Sequence, residues 1–235
     1  MSGTSLVLRE IKKLANPEIA KHSQRFFKTG PGEYGEGDRF LGIRVPVIRQ
    51  QVKNFHGLAL QKVLELLKSE FHEIRLFAVL MLVDLFERGD ETSRSKIYRQ
   101  YLKHTKWINN WDLVDSSAHK IVGAYLADKP RKPLYQLAAS ELLWDKRIAM
   151  IACYCLIKQD DFEDTLKLAK LFLNERHDLM HKAVGWMLRE LGNRNFEVED
   201  GFLLKYYQKM PRTMLRYAIE KFPKDRKRDY MKGLI

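Results

Sequence analysis

The chain has 235 residues, of which 45% are hydrophobic and 11% aromatic, enough to bury a substantial core as one domain or one continuous array. No apolar run is long enough to span a bilayer, and the N-terminal segment MSGTSLVLREIKK lacks the hydrophobic region and cleavage site of a signal peptide, so we expect a cytoplasmic protein without a membrane span. The 42 Lys and Arg against 30 Asp and Glu give a formal charge of +12, which favours a polyanionic partner, nucleic acid first and an anionic membrane surface second.

Between the few prolines and glycines, apolar residues recur at i, i+3, i+4 and i+7, which is the period of amphipathic helices. The predicted helices, in chain order, are 4–14, 17–28, 45–54, 58–68, 72–88, 92–103, 112–126, 132–140, 145–158, 161–174, 179–192, 198–208, 212–221 and 224–232. No segment has a convincing strand pattern. The sequence therefore predicts an all-α fold, with residues 1–235 as a single domain.

Five of the predicted helices share a pattern: each starts with polar residues and then becomes apolar on nearly every side. They begin near His72, Trp111, Trp144, His177 and Met210. One turn into these helices, the candidate equivalent positions are Arg75, Asp115, Arg147, Lys182 and Arg216. These positions lie 40, 32, 35 and 34 residues apart, which is the range of two-helix HEAT and armadillo repeats.

Such repeats stack into an α–α superhelix (a solenoid) whose second helices line the concave side. The equivalent positions would then form a stripe along that side, with four cations and one carboxylate. Cations in this arrangement suit the phosphates of DNA, so we predict a concave basic groove. Each side chain taken alone is better explained by an ordinary solvated ion pair.

The exception in the stripe, Asp115, lies at i+4 from Trp111 and so shares a helix face with it. Asp112 points elsewhere and is interpreted as an N-cap or first-turn carboxylate. Trp186 lies at i+4 from Lys182, so we expect two tryptophans, one carboxylate and two flanking cations on one groove. The alternative for Asp115 is a salt bridge to Arg147 or Lys182.

This set suits cleavage of an N-glycosidic bond in DNA. An alkylated purine already carries a positive charge and leaves easily, so the enzyme needs no strong general acid. A carboxylate beside the sugar stabilises the oxocarbenium character that develops there, and it can orient the attacking water. Indole faces favour a cationic base or sugar.

The segments FLGIRVP (40–46), NWDLVDS (110–116), KRIAMI (146–151), HKAVGWMLRE (181–190) and RYAIEKF (216–222) resemble the AlkD-like family of DNA alkylation repair glycosylases, in order over nearly the whole chain. The resemblance implies a HEAT-like solenoid that binds double-stranded DNA containing alkylated bases. It also implies excision of positively charged N3- or N7-alkylated purines without a metal or a redox cofactor.

Carried over residue by residue, the resemblance assigns the catalytic carboxylate to Asp115 and the sugar- and lesion-facing rings to Trp111 and Trp186. The groove arginine falls on Arg147. The remaining predicted DNA-binding residues are Lys182, Arg189, Arg216, Arg75 and Phe26.

Two features depart from the family pattern. Phe26 stands where the family has a tyrosine near the lesion, so a hydroxyl is lost there. The Gly-rich loop KTGPGEYGEGDRF (28–40) is longer than expected. It is interpreted either as a mobile surface connection or as the source of a replacement phenol, Tyr34.

Several other features are given ordinary interpretations. His177 and His181 have the i,i+4 spacing of a metal pair but no third ligand, so no metal is predicted. Cys153 and Cys155 are interpreted as reduced core thiols. The basic tail KFPKDRKRDYMKG (221–233) either contacts the DNA backbone or forms a solvated final helix.

Three functions remain open from the sequence. The first is the glycosylase, acting as a monomer. The second is a non-catalytic HEAT-like protein that binds damaged or branched DNA by its shape. The third is a HEAT-type scaffold that binds other proteins.

Overall fold

A computed structural model of the chain describes residues 3–235. Its helices are α1 (Gly3–Lys12), α2 (Pro17–Phe26), α3 (Val45–Asn54), α4 (Leu60–Leu66), α5 (His72–Arg88), α6 (Glu91–Lys103), α7 (Trp111–Asp115), α8 (Ala124–Leu126), α9 (Lys132–Ala138), α10 (Leu143–Ile157), α11 (Glu163–Leu171), α12 (Asp178–Gly192), α13 (Phe196–Tyr206), α14 (Arg212–Ala218) and α15 (Lys224–Lys232). Within residues 3–235 the only extended pairing is an isolated bridge between Arg39 and Phe71. The predicted all-α class is confirmed.

The predicted helix 112–126 is wrong as a continuous element. Helix α7 ends at Asp115, a turn follows at 116–117, and residues His119–Gly123 form a π-helical turn before α8. A Cβ at Gly123 would lie 2.2 Å from the carbonyl oxygen of Ala152 on α10. The wider π turn therefore brings bare backbone against α10, a contact that the apolar period cannot reveal.

The contacts of the chain divide it into two compact units, the first ending at Ser117 and the second spanning Ala118–Ile235. In the first unit, α5 is the core helix. Thirteen of its residues are buried, and α3, α4, α6 and α7 pack against it. Apolar residues on nearly every face are typical of a helix that is surrounded by other helices.

The second unit is built around α10 and α12. Helix α12 packs against α10, α13 and α14, and α10 also packs against α9, α11 and the π turn. A Cβ at Gly185 would lie 2.4 Å from the carbonyl oxygen of Met214, so glycine permits the close approach of α12 to α14.

The two cysteines lie on α10 and are free. Cys153 is buried, as predicted, and burial raises the pKa of its thiol to about 12, so the thiol stays protonated near neutral pH. Cys155 is only partly buried. Between residues 3 and 235 no helix is both long and apolar enough to cross a bilayer.

Candidate functional site

Helix α7 begins against a cluster of aromatic rings in the first unit. The ring of Trp111 stacks on Phe27, with centroids 5.3 Å apart and planes at 21°, and packs edge-on with Phe26, whose centroid lies 6.0 Å away. The side chain of Asn110 accepts a hydrogen bond from the backbone N–H of Trp111 at 2.8 Å and caps the helix. Trp111 is only partly exposed because Phe26 and Phe27 cover part of the ring.

Asp115 is the last residue of α7, so Trp111 and Asp115 lie one turn apart on the same helix, as the i,i+4 spacing predicts. Its side chain is half-buried. A carboxylate at the C-terminal end of a helix lies near backbone carbonyls and is electrostatically unfavourable there. The helix dipole therefore does not favour a carboxylate at this position.

Asp112 makes contacts within the fold. It lies in the first turn of α7, as predicted, but the N-cap is Asn110, so the N-cap alternative for Asp112 is wrong. Its Oδ2 lies 2.8 Å from Nε2 of His72, and its Oδ1 accepts the N–H of Leu113 at 2.9 Å. Asp112 thereby joins the start of α7 to the start of α5.

Beneath this contact lies a buried ionic network. Nδ1 of His72 lies 3.5 Å from a carboxylate oxygen of Asp38, whose other oxygen accepts a hydrogen bond from Arg75 at 2.6 Å. Burial opposes the charged imidazole, but Asp112 and then Asp38 outweigh it and raise the pKa of His72 to about 9. Although burial acts in the opposite direction, His72 and Arg75 hold the pKa of Asp38 below its usual value.

These contacts argue against the predicted assignment of Arg75 as a DNA ligand. Its side chain is 3% exposed, and besides Asp38 it donates to the carbonyl oxygens of Ser69 and Glu70 at 3.0 and 3.3 Å. Arg75 is held inside the protein because its guanidinium binds the buried carboxylate of Asp38, which lies in the loop 28–40, distant in sequence.

Phe26 ends α2 and is 58% exposed. Together with Phe27 it lines a cavity of about 700 Å³, whose other walls come from α2 and from residues 43–46. The loop 28–40 contains internal hydrogen bonds, such as the one from the Gly35 N–H to the Lys28 carbonyl at 3.0 Å. Its buried Asp38 joins it to α5 through Arg75. Both interpretations of this loop, a mobile surface connection and a replacement of the missing phenol by Tyr34, stay predictions.

The predicted cations of the second unit differ in their exposure and in their protein partners. Arg147 on α10 is 4% exposed, and its guanidinium donates to the carbonyl oxygen of Leu179 on α12. Lys182 on α12 is 38% exposed and pairs with Asp178 at 2.8 Å. Arg189 is mostly covered and pairs with Glu220 and Glu190.

Arg216 on α14 is exposed, and its guanidinium donates a long 3.4 Å hydrogen bond to the hydroxyl of Thr213. Lys182 and Arg216 are therefore the predicted cations most accessible to a phosphate. Trp186 is half-buried, donates to Glu190 at 2.9 Å, and its ring lies 6.1 Å from that of Tyr154.

The histidine pair of α12 is engaged by the protein itself. Nδ1 of His177 accepts the N–H of Leu179 at 3.1 Å as the helix cap, and Nε2 of His181 contacts the carbonyl oxygen of Glu175. In the part of the chain that the structure describes, no group of three or more His, Cys, Asp or Glu side chains is arranged to hold a metal ion.

A family model for DNA alkylation repair enzymes matches residues 7–222 of the chain. The chain belongs to that family. The solved structure of a predicted DNA alkylation repair enzyme from Enterococcus faecalis superposes with a TM-score of 0.68 at 18% sequence identity, covering 89% of this chain and 97% of that one. That likeness shows the fold. No curated protein sequence matches the chain significantly.

In this member of the DNA alkylation repair family, sequence reasoning missed Asp38 and His72. In the sequence, Asp38 is one of three acidic residues in the Gly-rich loop 28–40, and His72 is the first residue of a predicted helix. Nothing in their spacing along the chain indicates that both contact the residues around Trp111. The three acidic residues of the Gly-rich loop are the one available signal, and nothing in the sequence distinguishes Asp38 among them.

Proposed function

We propose that the protein is a DNA glycosylase that excises positively charged N3- or N7-alkylated purines from duplex DNA by hydrolysing the N-glycosidic bond. Membership of the DNA alkylation repair family supports DNA as the substrate. The observation that carries the specific reaction is the position of Asp115, a half-buried carboxylate one turn from Trp111 at the end of α7.

The proposed chemistry needs little from the protein. The leaving purine is already cationic and departs as a neutral base when the bond to C1′ breaks, so it requires no proton donor. The sugar then carries the positive charge, and Asp115 stabilises it by electrostatic attraction. Water adds to C1′ and loses a proton, for which Asp115 is a suitable acceptor.

The remaining predicted residues bind rather than react. The faces of Trp111 and Trp186 suit a cationic base or sugar, because the π electrons of an indole attract positive charge. Among the cations, Lys182 and Arg216 are the accessible ones and are assigned to DNA phosphates. Phe26 offers an exposed apolar ring beside Trp111.

The test uses methylated duplex DNA and measures release of 3-methyladenine or 7-methylguanine. Asp115→Asn keeps the shape of the side chain and removes its charge, so excision should slow by on the order of 10²–10³-fold. DNA binding should hold or tighten, because a carboxylate that repels phosphate has been lost. Asp128→Asn, on a carboxylate that is 81% exposed, is the control and should excise at the parent rate.

Each alternative gives a different result. Excision by Asp115→Asn at the parent rate would remove the catalytic assignment. Salt-sensitive DNA binding without any excision by the parent would favour the non-catalytic DNA-binding protein. Absence of both would favour the protein-binding scaffold.

A further inference from the structure

His72 lies at the centre of a stack of rings. It is almost completely buried, and its imidazole lies face to face with Phe40, at a centroid distance of 4.6 Å, and tilted against Phe27, at 4.9 Å. Phe27 in turn stacks on Trp111 at 5.3 Å. A chain of ring contacts thus runs from the buried imidazole to the tryptophan.

A second connection runs through hydrogen bonds. Nε2 of His72 contacts Asp112, the residue that follows Trp111 in the chain, while Nδ1 faces Asp38. Helix α7 has only five residues, and so short a helix is not stable in isolation. Its placement depends on tertiary contacts, and the contact of Asp112 with His72 joins its first turn to the first residue of α5.

We propose that His72 is a positioning residue, which fixes Trp111 and, one turn along α7, Asp115 through its bond to Asp112 and its ring contact with Phe27. The functional part of this inference rests on the proposed glycosylase activity, because it assumes that Trp111 and Asp115 act on DNA. The structural part concerns only the first unit of the chain.

The positive charge of the His72 imidazole contributes to this positioning. The charged groups that face it are Asp112 from α7, Asp38 from the loop 28–40 and Arg75 from its own helix. With His72 protonated, two carboxylates are balanced by two cations. Loss of the proton leaves one buried negative charge unbalanced, which weakens the contact to Asp112. Because the pKa of His72 is raised to about 9, the balanced state persists through neutral pH and is lost at alkaline pH.

The first experiment follows the side chains directly by NMR, with no DNA present. In protein labelled with ¹⁵N-histidine and ¹⁵N-tryptophan, His72→Gln identifies the imidazole signals of His72 and Trp111→Phe identifies the indole signal of Trp111. The imidazole should lose its proton with a midpoint of about 9. The indole signal of Trp111 should shift with the same midpoint.

The control is His56→Gln, which removes an exposed histidine that lies 3.8 Å from Asp84 in the same unit. It should leave the titration of both His72 and Trp111 unchanged. A His72 imidazole that titrates near the ordinary value of about 6.5, or a Trp111 signal that does not follow it, would overturn the proposal. The titration is followed in the parent protein, and the variants serve only to assign its signals.

The second experiment tests whether the protonation of His72 affects excision. The single-turnover rate of the parent on methylated duplex should fall as the pH rises through about 9. In Asp112→Asn the imidazole loses its main anionic partner, so the fall should shift to lower pH, whereas His56→Gln should keep the parent profile. An unshifted profile in a folded Asp112→Asn would remove the positioning function. If the parent excises nothing, the proposed activity has failed, and the NMR titration still decides whether His72 positions Trp111.

Discussion

Replacing Arg75 with methionine distinguishes an internal cation from one that binds DNA. The sequence places Arg75 in the same repeat series as Arg216, yet Arg75 is buried and bound to Asp38, whereas Arg216 is exposed. Methionine fills most of the volume of the arginine stem but has no donor. Arg75→Met therefore leaves the carboxylate of Asp38 buried without its closest partner.

The structure sets the size of the effect. Removing one member of a buried ion pair costs about 3–5 kcal/mol. Asp38 keeps the longer contacts to His72 at 3.5 Å and to Asn109 at 3.3 Å, which favours the lower end of that range. A loss of about 3 kcal/mol in a chain of this length corresponds to a fall of roughly 6–12 °C in the unfolding midpoint.

The assay is thermal unfolding followed by circular dichroism, together with DNA binding by fluorescence anisotropy at a temperature where both variants are folded. Arg216→Met is the matched control. It should change stability by about 0.5 kcal/mol or less and should weaken DNA binding. If Arg75→Met unfolded with the parent and lost DNA affinity instead, Arg75 would be a DNA ligand and the interpretation of its burial would be wrong.

Three further predictions concern the binding surface, the chemistry and the stability of the second unit. The DNA affinity of the parent should fall steeply between about 50 and 200 mM salt, and Lys182→Ala should make the log–log slope shallower by about 0.9, the value for one phosphate contact; an unchanged slope would remove Lys182 from the interface. Incubation with EDTA should leave excision unchanged, whereas a loss that zinc reverses would restore His177 and His181 as metal ligands. Burial and then Asp200 raise the pKa of Glu199 to about 9, so its stabilising contribution is complete below its unfolded pKa and is lost as the pH rises to about 9. Glu199→Gln should therefore flatten the fall in unfolding free energy, measured by urea denaturation from about pH 5 to about pH 9; a slope equal to that of the parent would refute the assignment.

The helices were predictable because their signals are local. Asn16 and Asp90 cap α2 and α6 by accepting the N–H of the residue three positions on, which is what their type and position indicate. The break within 112–126 was not predictable, because it depends on tertiary contacts. The hydroxyl of Ser117 bonds both to the carbonyl of Leu113 and to the hydroxyl of Tyr101 on α6, and neither bond leaves a mark in the periodicity of the chain.

The candidate site divides in the same way. The placement of Trp111 and Asp115 on one helix follows from their spacing alone. The network of Asp38, His72 and Asp112 does not, since its members come from a loop and two helices that are distant in sequence. A hydrophobic period reports which face of a helix is buried, but it does not report which charged partner a buried polar residue meets.

The exposure of the predicted cations bears directly on how the protein would hold DNA. A phosphate that binds a paired cation competes with the protein partner of that cation, and a full exchange displaces the partner. For an exposed pair such as Lys182 with Asp178 this exchange costs about 0–1 kcal/mol, which one phosphate contact easily offsets. For Arg75 the same exchange would leave Asp38 buried without its cation, at several kcal/mol. Phosphate contacts should therefore follow the exposure of each cation and not its register in the repeat, so that helices with equivalent sequence positions contribute unequally to DNA affinity.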